Sequence, residues 1–147
     1  MTVVVATAAD RAAVVGLWRA AGLTRPWNDP QADFALALAT ATSAILVARD
    51  EDAIRGSVMV GFDGHRGWIY YLAVAAEARR GGIGRALMAA AEDWLRARGA
   101  PKIQLMVRAD NEAAIEAQAA ADLTGALIEP GGAAAETPEN AGRSKKS

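Results

Sequence analysis

Apolar residues along this chain follow two different periods, and the places where one gives way to the other mark its elements. Residues 3–6 form a short β-branched run that reads as a strand. Thr7 follows in a position to cap a helix. Val14, Leu17, Trp18 and Ala21 then recur at helical spacing, which predicts a helix over residues 8–21 stopped by Gly22. Two prolines in Leu23-Thr24-Arg25-Pro26-Trp27-Asn28-Asp29-Pro30 exclude regular structure there. A second helix is predicted from Gln31 to Thr40, with Phe34 and Leu38 on one face.

Strands come next. Residues 43–49 and 54–62 form a hairpin about the acidic turn Asp50-Glu51-Asp52, and Asp63-Gly64 is a second turn signal. Residues 68–74 are apolar at every position, which predicts a central strand covered on both faces. Strand alternation would send Tyr70 and Tyr71 to opposite faces. A glycine loop leads to a helix over 83–98, which ends at Gly99-Ala100-Pro101. A strand over 102–107 and a helix over 111–121 complete the regular pattern, with one further short strand at 126–129. The order predicts an α/β fold whose sheet is antiparallel in its first half, with strands 68–74 and 102–107 parallel across a helical crossover. Residues 1–129 read as one domain. Residues 130–147 shift to Gly, Ala, Pro, Glu, Ser and Lys and read as a disordered tail, having little to bury.

Composition narrows the chemistry. No cysteine is present, which excludes disulfides, a thiolate nucleophile and a Cys-ligated metal site. Lys and Arg number 16 against 17 Asp and Glu, so there is no electrostatic footprint for nucleic acid or an anionic membrane. The longest apolar stretches are strand-sized, and the N-terminus lacks a basic region and a full apolar region, so a cytoplasmic protein is expected. No metal site is predicted.

The glycine loop carries the strongest chemical signal. Arg79-Arg80-Gly81-Gly82-Ile83-Gly84 lies between a buried strand and a helix. A helix N-terminus offers unpaired amides and the positive end of its dipole, both suited to phosphate. Gly82 and Gly84 let the backbone approach an anion closely, and Arg79, Arg80 and Arg85 add charge. Three glycines also mark an ordinary strand-to-helix turn, so the loop alone leaves both readings open. It is neither a dinucleotide fingerprint nor a P-loop, because no G-x-G-x-x-G and no Gly-Lys-Ser/Thr occurs.

Arg79-x-x-Gly82-x-Gly84, between Tyr70-Tyr71-Leu72-Ala73-Val74 and Arg85-Ala86-Leu87, resembles motif A of the GNAT N-acetyltransferases. Arg25-Pro26-Trp27-Asn28-Asp29-Pro30, Gly61-Phe62-Asp63-Gly64-His65-Arg66-Gly67 and Pro101-Lys102-Ile103-Gln104 resemble the small bacterial YpeA-like members. The resemblance implies a mixed, mostly antiparallel sheet with a central splayed parallel pair, flanked by helices. It implies acetyl-CoA as co-substrate and a primary amine of a small molecule or protein as acceptor. Amides from Arg80 to Arg85, taking in Gly81, Gly82, Ile83 and Gly84, would hold the pyrophosphate. The backbone of Leu72, Ala73 and Val74 would meet the pantetheine arm, and the amide near Leu72 would polarise the thioester carbonyl. Asn111 matches a cofactor-contacting asparagine, and is also an ordinary N-cap. Arg25, Trp27 and Asn28 fall in the loop that covers the acceptor.

The chain departs from the family where protons are handled. The position of the usual glutamate base is Trp68, and the usual aromatic pair with its tyrosine acid falls on Ala117 and Gln118. Tyr70 and Tyr71 are the candidate replacements, with core packing as their other reading. The family's closing hairpin is represented only by residues 126–129, and an open sheet edge there would favour a homodimer. An acyl-CoA-binding module without efficient catalysis is the alternative function.

Overall fold

The computed structural model describes residues 1–79, 81–108, 126–129 and 135–136. One seven-stranded sheet runs in chain order: β1 Thr2–Val5, β2 Ser43–Asp50, β3 Ala53–Phe62, β4 Gly67–Val74, β5 Ile103–Arg108, β6 Ala126–Glu129 and β7 Ala135–Glu136. Pairs β1–β2, β2–β3 and β3–β4 are antiparallel, whereas β4–β5 and β5–β6 are parallel. α1, Arg11–Ala20, and α2, Pro30–Ala39, cover one face, and α3, Ile83–Ala97, covers the other. The mixed, helix-flanked sheet expected from the sequence is the one observed. The expected helix at 111–121 lies outside the described residues, as do Arg80 and Asn111.

One detail of the N-terminal region differs from expectation. A 3-10 turn, Ala8–Asp10, precedes α1, with Thr7 as its N-cap in a capping box with Asp10. The carboxylate of Asp10 accepts from the Thr7 amide at 3.0 Å and from Arg49 at 2.8 Å, tying the start of α1 to β2. The Arg49 bond and the Thr7 amide together hold the Asp10 carboxyl below its ordinary pKa. α2 starts as its sequence demands: Asp29 accepts from the amides of Gln31 and Ala32, with Pro30 in the first turn.

The α3 face holds Leu46, Val58, Val60, Ile69, Leu72 and Val74 against Leu87, Met88, Ala91 and Leu95, all buried. Two glycines let α3 seat closely. A Cβ on Gly56 would lie 2.9 Å from Ile83 Cγ2 and Leu87 Cδ1, and one on Gly67 would lie 2.9 Å from Leu95 Cδ1. Both ends of α3 are therefore fixed by the absence of a side chain beneath them.

At the C-terminal side, β6 and β7 form an antiparallel hairpin beside β5. The sequence predicted only the first of these strands. Ala135–Glu136 falls within the stretch read as a disordered tail, and most of that stretch lies outside the described residues. The sheet is thus carried past β6 to β7.

Candidate functional site

Two irregularities in β4 shape the site. Its parallel pairing with β5 runs Gly67–Ile103, Trp68–Gln104 and Ile69–Leu105, and goes no further, so the two strands part beyond Ile69. On its other edge β4 pairs with β3, but Ser57 faces Ala73 while Met59 faces Tyr70. Val58 alone therefore opposes two residues, Tyr71 and Leu72, which is a β-bulge. Tyr71 sits in the left-handed region at φ 51°.

The bulge changes the phase of the strand. Ile69 points to the α3 face, and so do Leu72 and Val74, while Tyr71 and Ala73 point to the face of α1 and α2. Tyr70 lines the same cleft as Tyr71. The expectation that the two tyrosines face opposite ways is corrected: both lie on the α1–α2 side, because one extra residue is inserted between them and the rest of the strand.

Left-handed backbone costs a side-chain-bearing residue about 1–2 kcal/mol, and the surroundings of Tyr71 offset it. Its ring stacks on the fully buried Trp18 at 4.3 Å between centroids, 13° from parallel. Its hydroxyl donates to Asp33 Oδ2 at 2.9 Å. Stacking contributes about 0.5–1.5 kcal/mol and a hydrogen bond to a charged acceptor about 1.5–3, enough together to hold the bulge. Trp18 is fixed in turn by donating Nε1–H to Ser57 Oγ at 3.2 Å, within the core. Burial and the Asp33 carboxylate push the Tyr71 phenol up to about 12.

Tyr70 is placed differently. It is half-buried and stacks with Trp68, and its hydroxyl makes no hydrogen bond among the described residues. Burial, with a smaller contribution from Asp63, raises its pKa. Trp68 donates Nε1–H to Asp63 Oδ2 at 3.3 Å. Asp63 also accepts from the amides of His65 and Arg66, at 2.8 and 2.7 Å, so it orders the turn.

The parting of β4 and β5 opens beside the start of α3. Gly82 is the N-cap, at φ 85° and ψ 4°, with no side-chain cap. The first helical bond is from Ala86 to the Gly82 carbonyl, 3.0 Å, which leaves the amides of Ile83, Gly84 and Arg85 without helical acceptors. Gly81 and Gly82 are exposed, and a Cβ on Gly82 would meet nothing within 4 Å. On β4, Ala75 N–H donates to Arg55 of β3 at 2.8 Å. Alternation then turns the amides and carbonyls of Val74 and Leu72 toward the β5 side. Arg79 Nε donates to the Val74 carbonyl at 3.4 Å, which holds this guanidinium at the mouth of the opening.

A cleft of about 350 Å³ lies on the other side of Tyr70 and Tyr71, between β4 and α2. Asp33, Leu36 and Ala37 line it from the helix and Met59 from β3. Asp33, in the first turn of α2, is the residue that sequence reasoning missed, since an acid there reads simply as a partner of the helix dipole. Arg25, Trp27 and Asn28 do not line this cleft. Arg25 donates Nη1 to the carbonyls of Gly22 and Thr24, at 2.8 and 2.7 Å, and Trp27 is 78% exposed. No group of acidic or histidine side chains among the described residues could hold a metal ion. No described helix is long and apolar enough to cross a membrane.

Solved acetyltransferases share this fold. AAC(6')-Iy, in complex with the bisubstrate analogue CoA-S-monomethyl-acetylneamine, superposes with a TM-score of 0.71 at 14% identity, over 83% of this chain and 89% of that one. An aminoglycoside acetyltransferase from an uncultured soil metagenomic sample, in complex with sisomicin, gives 0.69 at 18% identity, over 82% and 86%. Residues 8–117 match the family model described as Acetyltransferase (GNAT) family, and the chain belongs to that family. An acetyltransferase of Pectobacterium atrosepticum is 50% identical over 106 residues, 72% of this chain and 75% of that protein. One from Sodalis glossinidius is 48% identical over 102 residues, 69% and 72%.

Proposed function

We propose that this protein is an acetyl-CoA-dependent N-acetyltransferase whose acceptor is a primary amine of a small molecule or protein. The observation that carries this reading is the parting of β4 from β5 beyond Ile69, with the bare N-terminus of α3 at its mouth. A long ligand with a phosphate at one end fits that arrangement. AAC(6')-Iy, whose fold is shared, is solved in complex with a CoA-containing analogue, which supports a CoA ligand for this fold.

Amides of residues 80–85 hold the pyrophosphate, and Arg79, Arg80 and Arg85 add charge. The edge of Leu72, Ala73 and Val74 receives the pantetheine arm, with Asn111 as a further contact. Acetyl-CoA supplies the activated acyl group: the amine nitrogen bonds to the thioester carbon, the C–S bond breaks, the amine sheds a proton and the thiolate gains one. The Leu72 amide, turned toward the opening by the bulge, donates to the carbonyl oxygen as charge builds on it.

Of the two tyrosines proposed as catalytic, Tyr70 is the better proton donor. Tyr71 is already committed to Asp33, and burial with that carboxylate pushes its phenol up to about 12, so its proton is the more tightly held. Tyr71 is a positioning residue that fixes the bulge. Trp68 cannot serve as a base, so the amine's proton passes to water in the open cleft.

Acetyl-CoA is expected to raise the melting temperature, and thiol release on a panel of amines should show turnover. Tyr70→Phe is expected to lower kcat by about 10²-fold, the low end for a positioned acid, with acetyl-CoA affinity retained. A thermal shift without thiol release on any amine would favour a binding module instead, a reading that Trp68 in the base position supports. No thermal shift at all would overturn both.

A further inference from the structure

The cleft beside β4 also bears on which amine is accepted. We infer that the acceptor carries a second cationic centre, which Asp33 holds, joined to the reacting amine by a short apolar link. The inference rests on the acetyltransferase reading above and names its substrate class.

Among the described residues, eight line the cleft and only Asp33 carries a charge. The polar groups beside it are largely spent. Thr40 Oγ1 donates to the Leu36 carbonyl and Ser43 Oγ to the Ala37 carbonyl, each at 2.8 Å. Asp33 is different. Among the described residues its carboxylate accepts one hydrogen bond, from Tyr71 at 2.9 Å. An ionised carboxylate has about four acceptor sites, so capacity for a donor remains, and Tyr71 fixes the direction in which it is offered.

Position separates this carboxylate from the reacting nitrogen. Attack takes place at the β4 edge near Leu72, whereas Asp33 lies at the far end of the Tyr71 side chain, toward α2. A single ammonium cannot occupy both places. Beside Asp33 the cleft is lined by Leu36, Ala37 and Met59, which suit methylene groups and offer nothing to a polar chain. A volume of about 350 Å³ is at the small end for a ligand site. Arg25, whose charge registers at Tyr71, is tied to the carbonyls of Gly22 and Thr24 and does not line the cleft. Asp63, on the other side, acts on Tyr70 with negative charge. The field at the cleft favours a cation.

The test is calorimetric titration of the full chain, saturated with CoA, using diaminobutane and its monoamine counterpart butylamine. The diamine is expected to bind about tenfold or more tightly, the effect of one charge-assisted hydrogen bond. Asp33→Asn still accepts the Tyr71 hydroxyl and is expected to bring the diamine to within about twofold of butylamine. Equal affinities in the unmodified protein, or a preference that survives Asp33→Asn, would overturn the inference. If Asp33→Asn fails to fold, Asp33→Glu serves, since its extra methylene should move the preference to the shorter diaminopropane; no such move is equally adverse. The readout is binding, so absence of thiol release would sink the transferase reading and leave this result to be judged alone.

Discussion

Replacing Gly82 with valine separates backbone strain from loss of the phosphate site. Gly82 holds φ 85°, and a Cβ there would meet nothing within 4 Å. The cost of Gly82→Val to the free protein is therefore conformational, about 1–2 kcal/mol for a left-handed residue, toward the upper end for a β-branched one. At the other end of α3, Gly99 holds φ 83° with equally empty surroundings. Gly99→Val is thus a matched control carrying the same strain. In a domain of this length each kcal/mol moves Tm by roughly 3–5 °C, so both variants should melt roughly 3–10 °C lower. They part when acetyl-CoA is added. A ligand at a hundred times its Kd stabilises by about 2.7 kcal/mol, a rise of roughly 8–13 °C by the same conversion. Scanning fluorimetry should show that rise in the unmodified protein and in Gly99→Val. It should be absent in Gly82→Val, whose methyl groups would stand in the proposed path of the pyrophosphate. A full rise in Gly82→Val would refute the placement of the site. Loss of the rise in both variants would show that strain alone abolishes binding.

Two further outcomes follow from packing and charge. Gly56→Ala places a Cβ 2.9 Å from Ile83 and Leu87 and 3.0 Å from the Ala73 carbonyl, and the carbonyl cannot move aside as a side chain can. A loss of about 1–3 kcal/mol is expected by denaturant titration, whereas Gly61→Ala, with nothing nearer than 3.8 Å, should be nearly silent. Asp10 has a depressed pKa, so its contribution is present above its unfolded value near 3.8 and fades as pH falls through the lower folded value. Asp10→Asn should therefore lose about 1 kcal/mol at neutral pH, modest because Arg49 is about one-third exposed. The difference should shrink below about pH 4, and a difference constant with pH would contradict the Arg49 pairing.

Much of this was legible in the sequence where periodicity and turn chemistry agree. The hairpin of β2 and β3, the Asp63-Gly64 turn, the central β4 and the amphipathic α3 all follow from patterns a single chain displays. The bulge was not legible, for a physical reason. Residues 68–74 are apolar at every position, so no polar residue marks the phase and an inserted residue leaves no trace. Asp33 was hidden by a competing explanation, and its role depends on Tyr71, 38 positions away. The cap at Thr7 follows from its residue type, but the part of Asp10 in it, fixed by Arg49 from another strand, does not. β7 has two residues, too few to show any period.

The change of phase in β4 also governs how related sequences must be aligned. Positions 67–70 and 72–74 belong to different frames of one strand, so a substitution pattern carried from the first half into the second assigns every residue to the wrong face. A gap of a single residue placed at 70–72 would make the strand look regular on paper and would erase Tyr71, the residue that joins its two frames.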